Sequence, residues 1–113
     1  MSLADKILKQ SLQTVSLYVP EWGETVILRE LDGFGRITFE KAYSLNKDNP
    51  DEAMLMGLSA ALSIVDPHGE RVFTDDQIPE LQKQSGKALR RVYDAFLDLN
   101  IMSDTEVDDT EKK

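Results

Sequence analysis

Cysteine is absent from this 113-residue chain, and histidine and tryptophan each occur once. Without cysteine there is no disulfide, no thiolate zinc site and no cysteine nucleophile. The lone His68 is the only candidate for a hydrolase base, and no serine stands in a Gly-x-Ser-x-Gly elbow, so a catalytic triad lacks its parts. Positive charge is also scarce: 13 Lys and Arg face 21 Asp and Glu, for a net charge of −8. Nucleic acid is therefore not an expected partner, since affinity there depends on neutralising phosphates with Lys and Arg. No apolar run approaches the roughly 20 residues needed to cross a bilayer, so no membrane partner is expected. Met1-Ser2-Leu3-Ala4-Asp5-Lys6 lacks the basic start and apolar core of a signal peptide, which makes the cytoplasm the expected location.

What the chain does have is one long uncharged run, Ala53 to Val65. Its apolar residues fall on every side, as in a helix that is covered all round. The remaining segments supply the cover. Ser2 can cap a short helix over Leu3, Ile7 and Leu8, with Asp5 at its third position. A helix that short is unstable by itself, so it is expected to dock on something. Thr14 to Val19 alternates apolar and polar residues and reads as a strand. Pro20-Glu21-Trp22-Gly23 has turn chemistry, and Thr25 to Glu30 reads as the returning strand of a β-hairpin. Asp32 is the expected cap of a helix running to about Asn46, with Phe34, Ile37, Phe39, Ala42, Tyr43 and Leu45 as its apolar surface. Asn46 to Pro50 is a loop, and Asp51 or Pro50 opens the uncharged helix.

Asp66-Pro67-His68-Gly69 ends that helix in a turn, because proline cannot continue it and glycine can close the reversal. Arg71 to Phe73 is short and extended. Thr74 and Gln77 form a capping box, followed by a helix that Pro79 keeps short or irregular. Ser85 caps the last helix, where Leu89, Val92, Tyr93, Phe96 and Leu97 recur at helical spacing and Asn100 can end it. The expected fold is α+β and mainly α: an N-terminal β-hairpin packed on a small bundle of about four to five helices. Residues 1–102 are expected to form one globular domain. Residues 103–113 carry five acidic residues, two lysines and Val107 as their only aliphatic side chain, a composition that predicts a disordered acidic tail.

Chemistry has few footholds. His68 lies among Asp66, Glu70, Asp75 and Asp76, but at neither EF-hand nor His-pair spacing, and an exposed polar turn is the commoner outcome. Gly33-Phe34-Gly35-Arg36 lacks the third glycine of a dinucleotide loop and the Lys-Ser/Thr of a phosphate loop. The carboxylate pairs Asp75/Asp76 and Asp108/Asp109 have no adjacent apolar pocket to raise a pKa. No enzyme, cofactor or metal is expected. Trp22, at the hairpin tip, either folds back on the hairpin or anchors a protein interface. Met54 and Met56 either fill the core or face a partner, a use methionine serves on adaptable surfaces.

The order of motifs resembles a known family. The opening Met1 to Leu8 precedes a strand ending Val19-Pro20-Glu21-Trp22-Gly23. Val26-Ile27-Leu28-Arg29-Glu30-Leu31 follows, then Gly33-x-x-Arg36-x-x-Phe39-Glu40, Asp66-x-x-Gly69-x-Arg71-x-Phe73-Thr74-x-x-Gln77, and a last helix ending Leu99-Asn100. From about Ser2 to Asn100 this is similar to the tail assembly chaperones of long-tailed bacteriophages. Gly35 departs from the pattern, where a better helix former would follow Gly33. The resemblance implies a non-catalytic protein of the host cytoplasm, absent from the mature virion. Its implied partners are the tape-measure protein and the major tail (tube) protein, the latter through a longer product made by ribosomal frameshifting near Glu111-Lys112-Lys113. The residues add an expectation of homo-oligomers, which would cover apolar surface that so small a body leaves exposed. Two alternatives remain: a structural head–tail connector or tail-completion protein, and an acidic DNA-mimic inhibitor.

Overall fold

Alternation of β-branched and polar residues draws Thr14–Val19 into strand β1 and Glu24–Arg29 into β2, antiparallel across the Pro20 to Gly23 turn. The computed structural model describes residues 1–45 and 51–102. Gly23 closes the hairpin at φ +63, a left-handed conformation that glycine adopts without a Cβ clash. The register opposes Val15 to Leu28, Leu17 to Val26 and Val19 to Glu24, which puts Val15, Leu17, Val19, Val26 and Leu28 on one face. Val19 and Leu28 on that face are fully buried. The opposite face carries Thr14, Ser16, Tyr18, Thr25 and Arg29, and Tyr18 is exposed there.

The uncharged run is helix α3, Glu52–Ser63, and it sits at the centre. Asp51 caps it by accepting from the Met54 N–H at 3.0 Å, satisfying one of the helix's free N-terminal donors. One side of α3 gives Ala60 and Ala61 to a cluster with Val19, Leu28, Leu81, Ala88 and Val92. Another gives Leu55 and Leu58 to a cluster with Phe39, Tyr93, Phe96, Leu97 and Met102. The buried hydroxyls of Ser59 and Ser63 donate back to the carbonyls of Met56 and Ser59, so neither is left unsatisfied. Gly57 is where the next helix crosses most closely: a Cβ there would lie 3.0 Å from Gln82 Cγ and 3.5 Å from Ile78.

The expected helix to Val65 stops two residues short. Ile64–Val65 forms strand β3 and adds to β2, opposing Leu28 and Ile27 and making a sheet of order β1-β2-β3. Both residues are β-branched, and Pro67 disfavours helical backbone in the residue before it. Sheet pairing supplies the partners that helix ending removes. Arg71 bridges Val65 from the far side, and the Val72 N–H donates to the Ile64 carbonyl at 3.1 Å. Arg71 also donates to the Ala61 carbonyl near the end of α3 and pairs with Asp75, each at 2.8 Å.

The other helices follow their caps. Helix α1, Leu3–Leu8, is capped by Ser2, and α2, Gly33–Leu45, by Asp32, whose carboxylate accepts from Gly35 at 2.8 Å. A 3₁₀ turn at Asp75–Gln77 runs into the short α4, Ile78–Leu81, with Gln77 accepting from the Thr74 N–H. Helix α5, Gly86–Leu99, buries all five of the residues that its spacing singled out. The Asn100 carboxamide accepts from the Leu31 N–H at 2.8 Å and donates to the Phe96 carbonyl at 2.9 Å, tying the end of α5 to the start of α2. Cover for α3 comes from α5, α4, α2 and β2. Helix α1 takes no buried part: none of its residues is buried, so the cover expected from the remaining segments does not include it. The loop at residues 46–50 and the acidic tail at 103–113 lie outside the described residues.

Candidate interaction surfaces

Among the described residues, three apolar features stand out on the surface once the core is assembled. The first is α1, whose Leu3, Ile7 and Leu8 are 72%, 60% and 83% exposed, with Met1 beside them. The second is a stripe on α2. Phe39 is that helix's one buried residue, with Ala42 and Tyr43 packed beside it. Phe34, Ile37 and Leu45 point away from it and are exposed, Phe34 at 88%. Thr38 and Lys41 lie on the same stripe, at the i, i+4 and i+7 positions from Phe34. A helical wheel already separates Phe34, Ile37 and Leu45 from Phe39, Ala42 and Tyr43. Pooling all six as one apolar surface hid the second stripe.

The third is a groove of about 540 Å³ between the hairpin end, the β3 turn and α4, with Trp22, Val26, Phe73 and Leu81 among its walls. Trp22 folds back, half-buried, onto the Val19 and Val92 cluster. Its indole N–H is the one buried side-chain polar group among the described residues with no hydrogen-bond partner. Met54 and Met56 lie elsewhere, half-buried against the Phe39 and Phe96 cluster. The structure thus separates Trp22 from Met54 and Met56, the other interface candidates that the sequence singled out.

Charge holds the hairpin tip in place. Arg91 on α5 donates to the Glu21 carboxylate at 2.8 Å, and this hydrogen bond is the chief cause that lowers the Glu21 pKa and raises that of Arg91. His68 is exposed in its turn, with its N–H donated to the Asp66 carboxylate at 2.8 Å. Asp66 is held below the ordinary aspartate range, first by the Glu70 N–H at 3.0 Å and then by that of His68, against the opposing effect of burial. A depressed carboxyl pKa gives stability that is present above the unfolded value and lost as pH falls through the folded one. The turn amides of His68 and Glu70 are therefore expected to hold their NMR shifts down to about pH 4 and to move together below it. A midpoint at or above the ordinary aspartate value would contradict the geometry, and Asp66→Asn is expected to remove the acid step.

The described residues bring together no acid, base and nucleophile, and no group of three His, Asp or Glu that could hold a metal. No helix among them is long and apolar enough to cross a membrane. What the geometry offers is contact surface: two exposed apolar helix faces and a groove, in a chain of net charge −8.

No curated protein sequence matches the chain. Its fold is similar to that of a solved structure, the tail assembly chaperone of bacteriophage HK97, at a TM-score of 0.64 and 21% identity over 87% of this chain and 98% of that one. The sequence profile of the phage tail assembly chaperones matches residues 4–113. With nearly its whole length matched by that profile, the chain belongs to the phage tail assembly chaperone family.

Proposed function

We propose that this protein binds the tape-measure protein, keeps it soluble and helps recruit tail-tube subunits around it in the host cytoplasm, then leaves before the virion is complete. The observation that carries the reading is the exposed apolar surface of α1 and α2 on an acidic body. Apolar residues at i, i+4 spacing on a helix fit apolar stripes of other helices, and strong net charge keeps such a protein dispersed while those stripes stay available. In this reading the protein acts as a homo-oligomer, and a longer frameshifted product meets the major tail protein. Trp22, Met54 and Met56 are proposed contact residues, with the methionines at the half-buried margin of α3.

Co-expression tests the proposal. The tape-measure protein is expected to be soluble and co-purified when this chain is present, and insoluble without it. Met54→Asp and Met56→Asp are expected to lower that recovery while circular dichroism and sedimentation still report a folded protein. Loss of fold would instead place these methionines in the core. Mass spectrometry of purified particles is expected to find no copies of the chain. Stoichiometric copies in the virion would assign a structural role, as in a connector or tail-completion protein.

A further inference from the structure

The sheet ends unevenly beside the groove. Strand β3 opposes only Ile27 and Leu28, so Glu24, Thr25 and Val26 have a strand on the β1 side alone. The Glu30 N–H donates to the Gln13 carbonyl at 2.8 Å. Alternation along β2 then turns the backbone groups of Val26 and Leu28 toward β1, and those of Thr25 and Ile27 toward β3. The β3 side agrees: Ile64 and Asp66 direct their backbone groups outward to Val72 and Glu70, which leaves Val65 for Ile27. In that register the position facing Thr25 belongs to residue 67. It is a proline, with no N–H to give, and the Gly69 N–H donating to the Asp66 carbonyl at 2.9 Å turns the chain away. The N–H and C=O of Thr25 therefore have no strand opposite them, an unfinished ladder next to a groove walled by Trp22, Phe73 and Leu81.

We propose that this groove receives an extended, apolar segment of a client protein, flanked by Lys or Arg, which adds as a short strand against Thr25. The mode is strand addition, in which main-chain hydrogen bonds hold the segment and a pocket selects its side chain. Glu24 and Glu80 line the groove, and with the chain's net charge of −8 they favour basic flanks. Trp22, in the groove wall, adds a second unmet demand, since its buried N–H has no partner. The proposal rests on the tape-measure reading for the client's identity and goes beyond it in naming the site, the backbone conformation and the flanking charge.

The test is amide hydrogen exchange and tryptophan emission on the full chain, alone and in complex with the co-expressed tape-measure protein. Protection of the Thr25 amide is expected to rise at least tenfold in the complex, with a shift in the emission of Trp22, the chain's one tryptophan. Thr25→Pro removes the donor that faces the groove while leaving the β1 ladder intact, the setting in which edge strands tolerate proline. It is expected to weaken binding about tenfold with an unchanged spectrum. Glu80→Lys, on an exposed residue, is expected to weaken binding several-fold and to reduce its salt dependence. A complex that forms with Thr25 exchanging as in the free chain overturns the site but not the function. Protection that rises with the concentration of the chain alone overturns the client and assigns the groove to a second copy. Absence of any complex overturns the tape-measure reading, and with it this client.

Discussion

Phe96→Ala is expected to destabilise the fold by about 3–5 kcal/mol, the usual cost of deleting a buried aromatic ring. Phe96 is fully buried, its ring 4.9 Å from that of Phe39 at an interplanar angle of 57° and 6.2 Å from Tyr93. These contacts join α5 to α2, and the same cluster reaches α3 through Leu55 and Leu58. No neighbour is free to fill the space: Phe39 is itself fully buried, and the segment beyond Phe96 is held by Asn100. Domains of this size are stable by only about 5–15 kcal/mol, so the variant should lose a large share of its stability. Phe34→Ala provides the contrast. The residue type is the same, but at 88% exposure its removal is expected to move stability by no more than about 0.5 kcal/mol. Urea unfolding of the two variants reads the difference as a shift in midpoint at constant slope. Equal midpoints would mean that the aromatic cluster does not hold the helices together.

The elements that were legible in the sequence are those with local punctuation. Ser2, Asp32 and Ser85 each accept a backbone N–H at the start of the helix they were expected to cap, and Asp51, one of two residues expected to open α3, does the same. Pro20 to Gly23 and Asp66 to Gly69 turn where proline and glycine imply. The five apolar positions of α5 all lie in the core because their 3.6-residue spacing admits one buried face. Strand β3 was hidden because two β-branched residues after a helical run carry no period of their own. Only the unpaired side of β2, with Ile27 thirty-eight residues before its partner Val65, decides that they pair.

The candidate surfaces were less legible, for a related reason. Sequence shows that a residue is apolar and which helix face it shares, but not whether another layer exists to cover that face. Ile37 and Phe39 are two positions apart in α2, and one is exposed while the other is fully buried. A helical wheel puts them on different faces, but only the placement of α3 and α5 on one side of α2 decides which face is covered. Trp22 was legible as a residue with two possible roles; the structure packs it against the core cluster and also makes it a wall of a groove. Thr25 had no signal, since its importance lies in the backbone and in a proline forty-two residues on, at position 67 by the register of β3.

If the chain forms the homo-oligomer proposed above, replacing Leu3, Ile7 and Leu8 together by serine is expected to abolish that self-association and to leave the stability of the body unchanged. No residue of α1 is buried, so removing its apolar side chains takes nothing from the core. A six-residue helix is far below the roughly 12–15 residues at which isolated helices become even marginal. Its helical form is therefore tied to docking, and in an oligomer the docking surface is a neighbouring copy. Burying a leucine or isoleucine contributes about 1.5–3 kcal/mol. Losing three such contributions, even at partial burial, exceeds the 1.4 kcal/mol that makes a tenfold change in an association constant. Sedimentation velocity across a concentration series is expected to show assemblies for the parent chain and a monomer for the triple variant. Circular dichroism of the variant should lose about one short helix, while its urea midpoint stays within about 0.5 kcal/mol of the parent. The Ser2 cap is untouched, so the effect belongs to the apolar face and not to helix initiation. Identical sedimentation of the two proteins would remove α1 from the association surface and leave the Phe34, Ile37 and Leu45 stripe to account for it.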